Sequence, residues 1–366
     1  MQLTLHVTNQ CNISCKYCFV EPGPERMSLE TAKAAVRLGM KGTDTTGILF
    51  YGGEPLLERQ LIYDTVAYTA DIKRESRHNF FYKMTTNGVL LDEEFLIFSR
   101  KHNLTIGFSH DGPAQDDCRR THDNKGTADL LAEKIPLLLK YQPYAVGMSV
   151  LDNSTVRKAA KIAKFLYRSG FKYIAMNLNY AAPWTPEEFE ILRGEYEKIA
   201  DMYVRLTKSE QKVYLSPIDT KILSHLKGEK YHIDRRQMAQ NQPAIAPDGK
   251  IYIGSIHLNN PVFQIGDVIS GIDSEKQKFL FDRGGELAPE CRECAISSRC
   301  NYAYGHMKSQ NANITSDISP IHCAHERLIT PIADRAAEKL FADGSAMFIH
   351  RHYNEMYPVM SLMEDM

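Results

Sequence analysis

The stretch Cys11-Asn12-Ile13-Ser14-Cys15-Lys16-Tyr17-Cys18 decides the expected fold, because it follows closely on the strand-like run at residues 2–7. Its three cysteines are spaced C-x3-C-x2-C on one short loop. Three thiolates so placed can ligate three irons of a cubane and leave the fourth iron without a protein ligand. An open metal position is what a substrate or cofactor needs in order to bind. The sequence therefore predicts a cluster site at the end of a first strand.

A zinc ion is the alternative ligand for these cysteines, since tetrahedral zinc sites also use thiolates. A structural zinc site normally takes four protein ligands, and His6 is the one further candidate nearby. The spacing therefore favours a cluster and leaves zinc as the second interpretation.

Strand-like and helix-like segments alternate on both sides of this loop, over residues 1–180. The candidate strands are short and rich in β-branched, aromatic and Leu residues: 2–7, 46–51, 79–86, 103–109, 144–151 and 171–178. Amphipathic stretches long enough for crossover helices lie between them, at 28–40, 92–101, 127–139 and 154–168. Because such crossovers join parallel strands, the six units predict an α/β fold. We expect a partial (β/α)6 barrel with its chemistry at the C-terminal strand ends.

The rest of the chain divides into three further parts. Residues 181–240 look helical, residues 241–342 hold a hairpin turning at Asp248-Gly249 and a second cysteine set, and residues 343–366 are a C-terminal tail. The second set is C-x2-C-x5-C with a distal cysteine: Cys291, Cys294, Cys300 and Cys323. Four thiolates can hold a [4Fe–4S] cluster or a structural zinc, and spacing alone does not separate the two.

Composition argues against several classes of function. The chain has 366 residues and a formal net charge of -1, so no overall field recruits nucleic acid or an anionic membrane. It has no apolar run long enough to span a membrane and no secretory signal pattern. Seven of its eight cysteines are clustered, which favours metal ligation in a reducing compartment, and we expect a cytoplasmic protein.

Further motifs occur in an order that resembles the radical S-adenosylmethionine (SAM) superfamily. The cysteine loop, with an aromatic residue before its last cysteine, is similar to that family's cluster loop. Gly52-Gly53-Glu54 resembles the family's GGEP loop, Thr86-Asn87 the end of its third strand, and Ser109 with Asp111 its S-x-D-G-P segment. The resemblance implies that these residues bind SAM. It also implies that a [4Fe–4S] cluster on Cys11, Cys15 and Cys18 cleaves SAM to a 5′-deoxyadenosyl radical.

The remaining SAM contacts are assigned from shorter matches. Asp117-Cys118-Arg119-Arg120 resembles the family's D-x-x-R element, which makes Arg120 the expected partner of the SAM carboxylate, with Arg119 one position off. Ser149 and Asn153, at the end of the fifth strand, are expected near the ribose. Cys118 itself is expected to be a packing residue.

The second cysteine set resembles the C-terminal SPASM extension of radical SAM enzymes that modify peptides, such as sulfatase maturases and maturases of ribosomal peptides. Two auxiliary clusters are usual in that group. Cysteines of the inner cluster would fall at or near Gln237, Gly254 and Tyr304, and Ser255 stands where sulfatase maturases place an Asp base. We therefore predict one auxiliary [4Fe–4S] cluster and no inner one.

The resemblance implies modification of a residue in a ribosomally made precursor peptide, with a thioether or carbon–carbon crosslink favoured. An anaerobic sulfatase maturase forming formylglycine is the alternative, which the missing inner cluster and base disfavour. A non-catalytic iron–sulfur scaffold is the third interpretation, although a scaffold has no need of a SAM site. The expected partners are the precursor peptide and an electron donor such as flavodoxin or ferredoxin. Because the chain starts at the first strand, we expect the barrel or a separate protein to bind the leader.

Overall fold

The computed structural model describes residues 1–228, 241–285, 289–300 and 319–354, together with residues 356, 357, 360 and 363. Its strands are β1 (Gln2–Thr8), β2 (Ile13–Cys15), β3 (Thr45–Gly52), β4 (Asn79–Thr86), β5 (Leu104–Ser109), β6 (Arg119–Thr121), β7 (Val146–Leu151), β8 (Tyr173–Leu178), β9 (Tyr214–Leu215), β10 (Ala244–Ile245), β11 (Lys250–Tyr252), β12 (Gln264–Asp267) and β13 (Gly271–Ile272).

The α-helices that it describes are α1 (Leu29–Gly39), α2 (Arg59–Glu75), α3 (Glu93–Lys101), α4 (Gln115–Cys118), α5 (Ala128–Ala132), α6 (Lys134–Tyr141), α7 (Ala159–Arg168), α8 (Pro186–Lys208), α9 (Ser216–Lys227), α10 (Ser274–Gly285), α11 (Pro289–Arg292), α12 (Pro320–Ala342) and α13 (Ala346–Tyr353).

Six parallel strands form the centre of the main sheet, in the order β1-β3-β4-β5-β7-β8. This confirms the predicted α/β fold and its partial barrel of six strand–helix units. The described part of the sheet continues past both ends of this set. β9 pairs with β8 in parallel, and β10 pairs with the outer side of β1. The C-terminal ends of the six strands therefore share one edge of the sheet.

In β4, one face is covered by helices and the other is exposed. In β4, Phe80, Tyr82 and Met84 are buried in the core, and the Tyr82 hydroxyl hydrogen-bonds Thr69 of α2 at 2.7 Å. Successive strand residues point to opposite faces, so Phe81 and Lys83 lie on the other side, where both are exposed. We call that side the open face of the sheet.

The crossover helices form where their amphipathic pattern predicts them, with one difference. The predicted helix at 127–139 is split into α5 and α6. Pro136 has no N–H to donate to the carbonyl of Ala132, four residues earlier, so a continuous helix would lack a bond at this place.

The C-terminal half combines a hairpin with long helices. β10 and β11 form the predicted hairpin, in which Gly249 takes a φ of +89°, a value that favours glycine. Thr185 and Glu188 form a reciprocal capping box at the start of α8. α12 packs against α8 and α9, so the C-terminal helices lie together. The four-part division of the chain stays a prediction, since the main sheet runs on from β1 into β10.

Candidate active site

The cysteine loop follows β1 at the C-terminal edge of the sheet. Cys11 and Cys15 are half-buried and Cys18 is exposed, and none of the three is in a disulfide. β2 carries the chain through Cys15 and pairs antiparallel with β6, with Cys15 opposite Arg119. A hydrogen bond from the Cys18 amide to the Cys15 carbonyl, 3.1 Å long, closes the turn. The structure therefore gathers the three predicted ligands on one loop.

The predicted GGEP loop lies against this cysteine loop. The Gly53 amide donates to the Thr8 carbonyl at 2.9 Å, and the Glu54 amide donates to the Gln10 carbonyl at 2.9 Å. A Cβ at Gly53 would stand 2.1 Å from the Gln10 oxygen. Glycine is needed here because the two backbones approach too closely for any side chain.

Glu54 fastens the end of β4 to the same loop. Its carboxylate is fully buried and accepts from the Thr86 hydroxyl at 2.7 Å and from the Asn87 amide at 2.8 Å. A third donor, the Leu56 amide, lies 3.0 Å away. Burial raises the pKa of the Glu54 carboxyl, and these hydrogen bonds oppose that effect. Glu54 and Thr86 therefore hold the end of β4 against the GGEP loop.

Asn87 reaches from β4 into the cysteine loop. Its side-chain amide donates to Asn12 Oδ1 at 2.8 Å and points at Cys11 Sγ from 3.7 Å. Its own Oδ1 accepts from the Val89 amide at 3.0 Å, which fixes the orientation of the side chain. The predicted third-strand segment therefore adjoins a predicted cluster ligand.

Ser109 and Asp111 extend the site along the same edge. Ser109 ends β5 and pairs with Met148 of β7. The Asp111 carboxylate accepts from the Val150 amide at 3.0 Å, from Arg119 Nε at 2.8 Å and from the Tyr17 hydroxyl. Asp111 therefore ties the cysteine loop to the strand ends.

The structure places Arg119, and not Arg120, against the cysteine loop. Arg119 lies opposite Cys15 in the β2–β6 ribbon, and its Nη1 is 3.9 Å from Cys15 Sγ. Arg120 pairs with Ser14 and so points to the other face of that ribbon. Its guanidinium donates to the carbonyls of Asp116 and Asn124 at 2.8 and 2.9 Å. The arginine that enters the site is Arg119.

Asp116 offers a second starting point for the D-x-x-R spacing. Its carboxylate accepts from the amides of Thr127 and Ala128, at 2.7 and 2.9 Å, at the start of α5. Counted from this capping aspartate, the D-x-x-R arginine is Arg119. Two adjacent aspartates and two adjacent arginines made both registers possible in sequence.

Ser149 and Asn153, the two residues expected near the ribose, lie in different surroundings. Ser149 shares its strand face with Gly147, where a Cβ would lie 2.9 Å from Phe171 in the core. Its hydroxyl is buried on that covered face without a partner, and its contact with the ribose stays a prediction. Asn153 follows β7, and its amide donates to Glu188 Oε1 at 3.3 Å. Cys118 is 2% exposed, as expected of a packing residue.

His6 is a feature of the site that the motifs did not indicate. It lies in β1 beside Tyr51, with ring centroids 5.2 Å apart, and is 1% exposed. Neither ring nitrogen has a hydrogen-bond partner. Burial lowers the pKa of His6 to about 3, so the ring is neutral. A buried imidazole with no polar partner points to a ligand at this edge of the sheet.

The second cysteine set is also brought together. Cys291, Cys294, Cys300 and Cys323 line one small cavity, along with Glu326 and Arg327 of α12. Arg327 Nη2 lies 4.0 Å from Cys294 Sγ. Of the inner-cluster positions, Gly254 lies after β11, whereas Gln237 and Tyr304 fall outside the described residues. We refer to the four cysteines and their cavity as the C-terminal cradle.

Two ion pairs anchor the C-terminal cradle to the helices. Lys221 of α9 pairs with Glu326 at 2.5 Å, and these side chains are 3% and 1% exposed. Arg299 makes a two-pronged contact to Asp334 of α12, at 2.8 and 2.6 Å. Such bidentate pairs fix orientation as well as distance. The cradle is therefore held rigidly on α9 and α12.

Glu326→Gln is expected to destabilise the protein by about 3 kcal/mol, because it leaves the Lys221 ammonium buried without its counter-charge. The midpoint of urea unfolding, followed by circular dichroism, measures this effect. Arg335→Gln is the matched control on α12. It breaks the exposed pair with Glu197, 3.4 Å long, which contributes at most about 0.5 kcal/mol. Equal midpoints for the two variants would contradict an anchoring role of the buried pair.

Comparison with known proteins places this site in a family. The Radical SAM superfamily matches residues 5–166, so the chain contains a radical SAM domain. An uncharacterized protein of Methanocaldococcus jannaschii is 31% identical over 178 residues, covering 48% of this chain and 62% of the relative. A cysteine-type anaerobic sulfatase-maturating enzyme of Clostridium novyi is 25% identical over 178 residues, covering 46% and 48%. The chain thus spans about half to three fifths of these relatives.

Solved structures resemble the fold over more of the chain. Native anSMEcpe with bound AdoMet has a TM-score of 0.79 at 17% identity, covering 92% of this chain and 98% of that one. Streptococcus suis SuiB bound to its precursor peptide SuiA has a TM-score of 0.60 at 14% identity, covering 87% and 75%. At these identities the two neighbours show that the fold is shared. The family match and the Clostridium novyi relative confirm the predicted relationship to radical SAM enzymes of the sulfatase-maturase and peptide-modifying group. Together the family match and these relatives indicate an enzyme.

The residues at the first cysteine loop fit a [4Fe–4S] cluster with SAM. Asn87 and Arg119 direct N–H groups at Cys11 and Cys15, an arrangement that suits ligating thiolates. Burial raises the pKa of both thiols to about 11, so a bound cation is needed to keep them ionised. The donor set of three cysteines leaves one iron open for SAM, and unpartnered His6 lies nearby. Cys291, Cys294, Cys300 and Cys323 fit a second, fully ligated cluster.

Among the residues that the structure describes, no three His, Cys, Asp or Glu side chains are arranged to hold a single metal ion. None of the described helices is both long and apolar enough to cross a membrane.

Proposed function

We propose that the protein is a radical SAM enzyme that modifies a residue of a ribosomally made peptide, with a thioether or carbon–carbon crosslink as the product. The observation that carries the proposal is the pairing of two thiolate sites. One is a three-cysteine loop at the catalytic edge of the sheet, and the other is the four-cysteine C-terminal cradle held on α9 and α12.

The proposed residue roles follow from the geometry. Cys11, Cys15 and Cys18 hold the first cluster, and Gly52, Gly53 and Glu54 form the adjoining SAM-binding wall. When bound, the cluster and SAM supply one-electron reduction and abstraction of a hydrogen atom. Asn87, Ser109 and Asp111 are buried at the same edge.

The peptide is proposed to lie along the open face of the sheet. Phe81 is 60% exposed there, and Lys83 beside it is exposed as well. An exposed aromatic side chain next to a cation can take an apolar residue and an acidic neighbour of a bound chain. AnSMEcpe and SuiB are known with bound peptides, which supports a peptide as the substrate. An electron donor of the flavodoxin or ferredoxin type completes the proposed partners.

Anaerobic sulfatase maturation is the second candidate. The fold is closer to anSMEcpe, with a TM-score of 0.79, than to SuiB, with 0.60. Against it, the chain has Gly254 and Ser255 where that activity would need a cysteine and a base. The choice between the two rests on the substrate.

The test is a comparison of two kinds of peptide with reduced enzyme and SAM. One set comprises the short peptides encoded beside this gene, and the other is a sulfatase peptide with its target Cys or Ser. We expect a mass loss in a neighbouring-gene peptide, with 5′-deoxyadenosine formed in step. A change in the sulfatase peptide alone would transfer the assignment to the second candidate. 5′-Deoxyadenosine without change in either set would overturn the peptide assignment.

A further inference from the structure

A buried cation lies against the cysteine loop, and its effect on the cluster itself goes beyond the function proposed above. Arg119 Nη1 is 3.9 Å from Cys15 Sγ, and its Nε donates to Asp111 at 2.8 Å. The side chains of Arg119 and Asp111 are 8% and 1% exposed. An ion pair so fully removed from water interacts strongly with any charge beside it.

Tyr17 completes the group from inside the cysteine loop. Its hydroxyl donates to the same Asp111 oxygen as Arg119, and the guanidinium lies over its ring, 5.3 Å from the centroid. The Val150 amide fixes the other oxygen of Asp111 at 3.0 Å. The group therefore has little freedom, and Arg119 stays directed at Cys15.

The group joins one guanidinium and one carboxylate, and the guanidinium is the one that contacts the Cys15 sulfur.

We propose that Arg119 is a positioning residue that sets the reduction potential of the SAM-binding cluster through the Cys15 thiolate, with Asp111 opposing it. One electron enters the cluster from the reductant, and no bond forms or breaks. The added negative charge spreads onto the ligand sulfurs, where the guanidinium stabilises it. Hydrogen bonds to the sulfurs and nearby charge are known determinants of cluster potential.

The two partners of the ion pair are expected to shift the potential in opposite directions. Arg119→Gln removes the cation and lowers the equilibrium constant for reduction about tenfold, which is about 59 mV more negative for a one-electron couple. Asp111→Asn removes the anion and shifts the potential to more positive values. Arg119→Lys keeps the charge but not the planar fork, and we expect less than half the shift of Arg119→Gln.

The measurement is a redox titration of the reconstituted full-length enzyme without SAM, monitored by electron paramagnetic resonance. The signal that changes when SAM is added afterwards identifies the first cluster. Arg120→Gln is the matched control, because it removes the same charge one residue away on the other face of the ribbon. Its potential is expected within about 20 mV of wild type.

Opposite shifts for Arg119→Gln and Asp111→Asn support the inference. Unchanged potentials with intact iron content, or shifts of the same sign, would overturn it. If Arg119→Gln does not retain its cluster, Arg119→Lys and Asp111→Asn must still differ in sign from each other. Wild-type protein without any SAM-sensitive signal would instead refute the proposed function, so the two failures are distinguishable.

Discussion

Protein with Cys11, Cys15 and Cys18 all replaced by Ala is expected to release no 5′-deoxyadenosine above background. Without the three thiolates there is no cluster with an open iron, so neither the electron nor the SAM-binding position remains. Enzymes accelerate reactions by about 10⁶-fold or more, and we expect a loss of at least about 10³-fold. Liquid chromatography with mass spectrometry measures the product after mixing with SAM and dithionite.

Iron analysis of the same variant tests the second site independently. Wild-type protein is expected to hold about eight irons per chain in two cubanes, and the triple variant about half of them. Cys118→Ala is the matched control, since it removes a buried thiol that belongs to neither set. It should keep its iron and its turnover. Loss of all iron in the triple variant would mean that the C-terminal cradle holds no cluster of its own.

Cys323→Ala is expected to separate the two halves of the reaction. A fully ligated cluster in the C-terminal cradle cannot bind substrate, so its proposed role is to take an electron from the substrate radical. We expect 5′-deoxyadenosine release close to the wild-type rate, while the crosslinked peptide disappears. Peptide mass and 5′-deoxyadenosine are measured in the same samples.

Lys339→Ala, on the exposed side of α12, is the control for a substitution in this helix. Circular dichroism shows whether either variant loses its fold. Crosslinked product at the wild-type rate in Cys323→Ala would mean that the C-terminal cradle is only structural. An oxidative crosslink should then be replaced by a redox-neutral reaction, such as an epimerisation.

The strand order and the position of the catalytic edge could be predicted because they depend on local patterns. Each of the six strands has its own run of β-forming residues, and right-handed crossovers leave little choice in their pairing. Gly53 and Asn87 end successive strands, so their meeting near Cys11 follows from the parallel sheet. The structure adds the reason for Gly53, which is the Gln10 carbonyl in its Cβ position.

What the sequence did not disclose depends on which way side chains face and on distant contacts. Arg119 and Arg120 are adjacent and chemically alike, and only the register of β2 with β6 separates them. Ser149 is one residue from the open face, so a shift of one position reverses its environment. A strict count of strand alternation in β7 places Ser149 on the covered face.

Long-range pairings gave no local signal at all. The pairing of β10 with β1 joins residues about 240 apart in the chain, and a two-residue strand has no pattern of its own. Lys221 and Glu326 are likewise brought together only by the packing of α9 on α12. The sequence suggests a role for His6 only as a zinc ligand, and the fold shows that its ring is buried beside Tyr51 without a polar partner.

Reductive cleavage of SAM by the wild-type protein tests the central claim most directly. Anaerobically reconstituted enzyme is mixed with SAM, with and without dithionite, and both 5′-deoxyadenosine and methionine are quantified over time. We expect the two products in equal amounts, formed only in the presence of reductant. Intact SAM in the presence of dithionite and a full complement of iron would contradict the assignment.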